Sequence, residues 1–536
     1  MPWYTHAIFY ELYPRAFADS NGDGWGDFIG ILEHLDYLQW LGVDCIWLTP
    51  IYPSPLRDDG YDVASYYATH PRYGSMEEFR LLLDEVHARG MRLITDLVVN
   101  HTSDEHPWFR LARRSRNSPW RDYYVWSDTS ERYAQARIIF LDVEKSNWAY
   151  DPLSKQYYWH RFYSSQPDLN YDNPKVQQAM LDVVKFWLDL GVDGFRVDAV
   201  PYLFEREGTS CENLPETHEY MKKVRRLVET HYPEAVLLAE AAQPPRDVRA
   251  YFGDGDEFQM CFHFPLMPHL FMALAQADRR PVVETLEGTP SIPAGCQWGT
   301  FLRNHDELTL EMVSEEERAF MWDYYAPDPR QRINLGIRRR LAPLMDNDPR
   351  KIRLLYSLLF TLPGAPVLYY GDQIGMGDNV ALPDRNGVRT PMQWNDGPNG
   401  GFSEADPQAL YAPLIDDPIY GYKRVNVAAQ RRDPHSLLNT LRHMIHVRKA
   451  HPVLADGALH WLETPSRAVL AFWRGQGAER FLALHNLSGT PVTVGLGRFA
   501  GAEVHDALAE RELVLGQRLT LEAYGYRWLR AGEGGS

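Results

Sequence analysis

Two hydrophobic periods alternate along the chain. Short apolar runs rich in β-branched residues recur at Ile8–Leu12, Cys45–Leu48, Leu93–Val98, Gly194–Val197, Ala235–Ala239, Met260–Phe264, Thr300–Leu302 and Val367–Tyr369. Between them lie segments with a helical period, including 31–41, 76–89, 175–190 and 216–231. Ile31, Leu32, Leu35, Leu38 and Leu41 form one apolar stripe, and Gly42, Gly90 and Gly191 sit where helices end. Eight strands alternating with helices predict an α/β chain folded as a parallel (β/α)8 TIM barrel. A doubly wound open sheet is the alternative, but no G-x-G-x-x-G follows the first strand.

The period fails in three places. Residues 101–172, rich in Trp, Tyr, His and Arg, predict a lobe inserted after the third strand. Residues 311–348 are charged and irregular, which predicts a lid-like insertion. From 454 the pattern changes to short alternating strands, at 468–473, 480–487, 491–494 and 518–521. The predicted domains are therefore barrel 1–100, inserted lobe 101–172, barrel 173–453 and a C-terminal antiparallel β-sandwich 454–536, with a frayed tail at 531–536.

Composition adds limits. With 55 basic and 72 acidic residues the net charge is −17, which argues against nucleic acid or an anionic membrane as partner. No run is long and apolar enough to span a bilayer, and the N-terminus lacks a signal-peptide pattern. A cytoplasmic protein is expected, and a homo-oligomer is left open. Cys45, Cys211, Cys261 and Cys296 are far apart, which argues against a disulfide framework or zinc site. The aromatic content of 13% suits stacking on sugar rings as well as it suits a large core.

Chemistry concentrates where the predicted strands end. The third strand runs into Asp96, Asn100 and His101, the fourth into Arg196 and Asp198, the fifth into Glu240, and the seventh into His305 and Asp306. An Asp after a strand is often only a helix cap, and Asp96, upstream of its strand end, suits a structural role. Several charged groups on one rim are harder to bury without function. Glycoside chemistry needs one ionised carboxylate and one protonated carboxyl. Arg196 lies two residues before Asp198, on the same strand face, and should keep it ionised as nucleophile. Glu240 follows an apolar run and should hold a proton as acid/base.

The segments DLVVNH, GFRVDA, LLAE and FLRNHD, with YELYPRAF at 10–17, resemble the signature regions of the α-amylase family of glycoside hydrolases (family 13). That resemblance implies Asp198 as nucleophile, Glu240 as proton donor and Asp306 as transition-state stabiliser. It implies that His101, Arg196 and His305 hold the sugar, and that Asp62 and Arg389 close the pocket's far end. Loop segments such as SPLRDDGYD and RNHDELTLEMV resemble the branch of the family that interconverts maltose and trehalose by glucosyl transfer. The implied reaction is intramolecular transglucosylation with minor hydrolysis, on the small-molecule substrates maltose and trehalose, and Gln166 is implied to reach the substrate. A plain α-glucosidase or oligo-1,6-glucosidase, or a barrel that binds sugar without catalysis, are the rivals.

Calcium is the expected cofactor. Asp19, Asn21, Asp23 and Asp27 alternate around a Gly-rich turn, with the Trp25 carbonyl between them, as oxygen ligands for a hard cation do. Position twelve of the loop is Gly30, so this is not an EF-hand. It resembles the calcium loop of the oligo-1,6-glucosidase-like branch. The maltose–trehalose resemblance implies a second site made by Asn100, Asp168, Glu205 and the carbonyls of Tyr202 and Leu203.

Overall fold

In the computed structural model, which describes residues 1–476 and 480–531, eight parallel strands close into a barrel. They are β1 (Phe9–Leu12), β2 (Cys45–Leu48), β3 (Arg92–Val98), β4 (Gly194–Asp198), β5 (Val236–Ala239), β6 (Met260–Phe262), β7 (Gln297–Phe301) and β8 (Ala365–Tyr369). Each pairs with its sequence neighbour, and β1 pairs with β8 to close the ring. The strands are apolar without alternation because helices cover their outer face while side chains fill the interior. Every residue of β1, β2, β4, β5, β6, β7 and β8 is buried.

The helices at Met76–Ala88, Pro174–Leu190 and Pro215–His231 lie within a residue of expectation. The single helix expected over 31–41 is two, Phe28–Glu33 and Leu35–Leu41. Asp27 caps the first by accepting the Gly30 amide. The ring of His34 then bonds the Gly30 carbonyl at 2.8 Å, the acceptor that its own amide would need to continue the helix. Its amide turns to Ile31 instead. Gly42 ends the second helix at φ +101°, where an added Cβ would lie 2.7 Å from Ile445.

The inserted lobe carries a three-stranded antiparallel sheet, Trp126–Ser127, Gln156–Trp159 and Trp148–Asp151, around a small aromatic core of its own. The stretch expected to be irregular at 311–348 is ordered. Ser314 and Glu317 form a capping box that starts the helix Glu315–Tyr325, and Leu308–Thr309, Gly336–Ile337 and Arg332–Ile333 make a narrow sheet.

The C-terminal domain has more strands than expected. A six-stranded antiparallel sheet holds Leu459–Trp461, Val469–Arg474, Phe481–Asn486, Tyr526–Ala531, Glu503–Asp506 and Arg511–Val514, and a second sheet pairs Val492–Gly495 with Arg518–Leu521. Strands such as Arg511–Val514 are mostly exposed and so lack the apolar alternation that would mark them. The tail beyond Ala531 lies outside the described residues. Among the described residues no helix is long and apolar enough to cross a membrane.

Two buried arginines fasten this domain beneath the barrel. Arg474 donates to the carbonyls of Thr361 (2.6 Å), Leu454 (2.7 Å) and Gly457 (3.0 Å). Arg448 donates to those of Phe360 (2.5 Å), Gly364 (2.6 Å) and Leu454 (3.2 Å). Burial pushes both guanidinium pKa values down to about 9, while their N–H groups donate to the surrounding carbonyls. Replacing Arg474 with Leu strands several buried carbonyls, so unfolding should become easier by about 3 kcal/mol. A melting temperature equal to that of the parent protein would show that the fastening does not hold the domain.

Candidate active site

The strand ends deliver their side chains to one cavity at the C-terminal face of the barrel. Asp198, the last residue of β4, and Glu240, one residue past β5, line it together with His101, His305 and Asp306. Strand alternation places Arg196 on the same face as Asp198, and the two pair at 2.5 Å. The same guanidinium contacts Asp96 at 2.5 Å and also contacts Glu240. Asp96 lies behind the cavity, bonded also to Trp47 (2.9 Å) and Tyr61 (3.1 Å), and so has the structural place expected of it.

Arg196 touches both reacting carboxyls, so it does not by itself separate them. Burial raises the Asp198 pKa and Arg196 opposes it, leaving the group at about 6 rather than below the usual carboxylate range as its cation alone would dictate. Burial raises Glu240 further, to about 8, against Arg196 and with added repulsion from Asp198 and Asp306. Around neutrality one carboxyl is ionised while the other keeps its proton. Glu240 also accepts the Ala199 amide at 3.1 Å, which fixes its head beside Asp198.

Asp306 is held differently. Burial raises its pKa, but His305, Arg385 and Arg389 outweigh burial and keep it well below the usual range. Arg385 donates at 2.8 Å, Arg389 at 3.0 Å, and the His305 ring lies 3.2 Å away. His305 is itself locked, with Nδ1 2.5 Å from Glu11, Nε2 2.8 Å from the Tyr61 hydroxyl, and its ring stacked on Tyr61. Glu11 was not legible as a site residue, because it sits among apolar neighbours in the middle of β1. His101 is buried in the wall, burial lowers its pKa to about 3, and its Nε2 has no protein partner.

The far wall differs from expectation. Asp62 does not face the cavity: its carboxylate accepts from the Ser54 hydroxyl (2.9 Å) and from the amides of Arg57 (3.0 Å) and Asp58 (3.1 Å), so it caps its own loop. That loop bends through left-handed residues at Leu56, Asp59 and Gly60. The bend turns Asp58 into the cavity wall, where it pairs with Arg385 at 3.1 Å. Arg389 stands one layer back, on Asp59, Asp306 and the His305 carbonyl. Gln166 likewise lies behind the wall, donating to Asp58 at 2.8 Å. The pair on the far wall is thus Asp58 with Arg385, four residues before each expected partner.

The two oxygen-rich sets also differ. In the loop after β1, Asp19 accepts the amides of Asn21, Gly22 and Gly24 and the Ser403 hydroxyl. Asn21 and Asp23 accept the amides of Asp23 and Trp25, and Asp27 accepts from Ser20 and Gly30. Every side chain of that set therefore has donors within the protein. The second set does not: Asn100 Oδ1, Asp168 Oδ2 and Glu205 Oε1 are all buried with no hydrogen-bond partner. Tyr202 and Leu203 stand at the end of the turn just before Glu205. Asp168 Oδ1 accepts the Arg161 amide at 3.1 Å, but one oxygen on each of the three side chains lacks a donor, and such oxygens are the acceptors that a hard cation takes.

A closed parallel barrel with three carboxyls, two histidines and an arginine at its strand ends is the architecture of an α-glycoside-processing enzyme. The chain belongs to the α-amylase family: the α-amylase catalytic-domain model matches residues 11–322 and 338–457, and a sucrose hydrolase-like C-terminal domain model matches 478–530. It is 55% identical to the trehalose synthase/amylase of Mycobacterium tuberculosis (strain ATCC 25618 / H37Rv), covering 98% of this chain and 90% of that one. It is 53% identical to the trehalose synthase of Pimelobacter sp. (strain R48), covering 98% and 96%. Among solved structures, the trehalulose synthase of Pseudomonas mesoacidophila MX-45 superposes with a TM-score of 0.81 at 29% identity, covering 99% of this chain and 100% of that one.

The corrected far wall has a direct test. Asp58→Asn should weaken binding of a glucose-like inhibitor about tenfold, as loss of one charge-assisted contact does. Asp62→Asn should lower the melting temperature and move the inhibition constant much less. Equal losses of affinity in the two variants would return Asp62 to the pocket.

Proposed function

We propose that this enzyme isomerises maltose to trehalose, reversibly and with minor hydrolysis. Asp198 attacks the anomeric carbon of the non-reducing glucosyl unit while Glu240 gives its proton to the glycosidic oxygen. The bond to the departing glucose breaks as the bond to Asp198 forms. The freed glucose stays, turns, and attacks the same carbon through its own anomeric hydroxyl. Glu240 takes that proton back and the Asp198 ester bond breaks. Two inversions give net retention, and no water enters the balance. His101, Arg196, His305 and Asp306 hold the glucosyl unit, with Asp58 and Arg385 at its far end.

The observation that carries this reading over plain hydrolysis is a clasp across the cavity mouth. Arg137 of the inserted lobe pairs with Glu311 of the 308–337 insertion and with Glu212, each at 2.9 Å. Arg161 joins Glu212 at 2.8 Å, and Gln243 donates to Glu212 at 2.9 Å. Lobe and insertion meet again where the Asn334 amide donates to Asp142 at 2.7 Å. A mouth tied on several sides retains a sugar and limits water. The trehalose synthases at 53–55% identity support the same substrate pair. The four free cysteines suit a reducing compartment such as the cytoplasm.

Calcium belongs to this reading as a structural ion. Asn100, Asp168 and Glu205, with the carbonyls of Tyr202 and Leu203, would hold it and tie the lobe to the barrel. The family resemblance implies an ion at the loop Asp19–Asp27 as well, although there the side-chain oxygens already accept protein donors. The ion supplies charge compensation for buried carboxylates and takes no part in the steps above.

Pure enzyme given maltose should yield mainly trehalose. Glucose without trehalose would sink the isomerase reading, and full turnover in Asp198→Asn would sink the site. The rate should fall below about pH 6, as Asp198 gains a proton, and above about pH 8, as Glu240 loses its own. Arg137→Ala should raise the glucose-to-trehalose ratio several-fold. A chelator should lower the melting temperature of the parent protein, and Glu205→Gln should shrink that response. A melting curve indifferent to chelator would count against the ion.

A further inference from the structure

We propose that the floor of the barrel holds a binding site for a small phosphate-bearing anion, separate from the sugar pocket. The catalytic cavity opens at the C-terminal ends of the strands. A second cavity, of about 320 Å³, lies at their N-terminal ends. Asp44 stands just before β2 and Arg92 begins β3, while Trp3 and His6 come from the segment ahead of β1. Arg448 and Lys449, in the last turn of the helix Leu437–Ala450, form the opposite wall.

Three fixed cations, Arg92, Arg448 and Lys449, and the ring of His6 border this space, against one carboxylate, Asp44. That balance runs against the chain as a whole, whose net charge is −17. Asp44 is already engaged, accepting the Ile8 amide at 2.9 Å and pairing with Lys449 at 2.6 Å. Arg92 pairs with Asp193 at 2.8 Å and lies over the Trp3 ring.

Arg448 is the cation those pairings leave out. Only 2% of it is exposed. Basic residues in the last turn of a helix commonly serve that helix's own carbonyls. Arg448 instead donates to the carbonyls of Phe360, Gly364 and Leu454, and its Nε has no hydrogen-bond partner. Arg474 is placed in the same way close by, and the two repel one another. Among the described residues neither pairs with a carboxylate. The one that both feel, Asp456, is taken by His6 at 3.2 Å. Carbonyls satisfy N–H groups without cancelling charge, so two buried guanidiniums with no anion beside them are costly.

A phosphate supplies what is missing. It is a compact, multiply charged acceptor, and guanidinium and ammonium groups are its usual partners. The cavity lies within the roughly 300–1,000 Å³ that small-molecule sites occupy, so a phosphate ester of a sugar has room there as well as the free ion. The Trp3 indole gives such a sugar an apolar face to rest on. The walls come from the N-terminal segment, the barrel strands and the helix that leads to the C-terminal domain. An occupant therefore ties these three together at the end of the barrel remote from Asp198 and Glu240.

Titration calorimetry on the intact enzyme, with inorganic phosphate and separately with glucose 6-phosphate, tests the site. Saturable binding is expected, and the melting temperature should rise with the ligand, because only the folded chain has the site. Lys449→Gln removes one cation and leaves the buried arginine in place. It should weaken either affinity about tenfold and leave kcat/KM for maltose unchanged. Arg92→Gln is the second variant, should Lys449→Gln fail to fold. Tighter binding of the ester assigns the cavity to sugar phosphates, and tighter binding of the free ion assigns it to inorganic phosphate. Both results bear out an anion site. Neither binding heat nor a melting shift with both ligands overturns it. An affinity that both variants leave unchanged also overturns it, since that ligand would be held in the sugar pocket or on the general surface.

Discussion

One buried cation makes the rest of this pocket possible. Arg196 stands in the barrel interior with Asp96, Asp198 and Glu240 all on its guanidinium. Three carboxyls so close in a dry interior would repel one another and take up protons. The planar fork of arginine serves several at once, which the point charge of a lysine does not. What distinguishes the two reacting carboxyls is then their surroundings. Glu240 meets repulsion from both Asp198 and Asp306, whereas Asp306 is drawn down by His305 and two further arginines. The pocket is thus a graded set, with Asp306 the firmest anion, Asp198 next and Glu240 the proton carrier.

The barrel was largely legible in the sequence. Strands buried on both faces read as unbroken apolar runs, and their ends pointed to Asp198, Glu240, His305 and Asp306 without knowledge of the fold. What was not legible has particular causes. Periodicity says nothing about a loop that turns through left-handed residues, so Asp62 was expected where Asp58 stands. Arg385 and Arg389 lie four residues apart, and only the packed loop decides which one faces the cavity. Glu11 looks like a stray acid within β1 until His305 is seen against it. The insertion was expected at 311–348, but its internal order escaped because its strands are two residues long. Its signals were present nonetheless, in the Ser314–Glu317 capping box and the alternation from Glu307 to Glu311.

The oxygen-rich sets teach a related lesson. The loop at Asp19–Asp27 announces itself by local spacing, yet its side chains satisfy one another's backbone. The set at Asn100, Asp168 and Glu205 has no local spacing, because it joins the end of β3, the lobe and the turn after β4. Only the folded chain reveals three acceptors without donors. Regular sequence spacing and unmet hydrogen bonding are independent pieces of information, and here they favour different places.

The clasp between Arg137, Glu212 and Glu311 has a consequence for how the reaction is governed. A sugar confined with its partner reacts at an effective concentration on the order of molar or above, far beyond what a cell supplies. The acceptor's abundance is then fixed by the walls rather than by the surrounding solution. Product composition becomes a race between a rotating guest and the opening of its enclosure. Cooling, which slows loop opening more steeply than tumbling in place, would tilt that race toward the rearranged disaccharide.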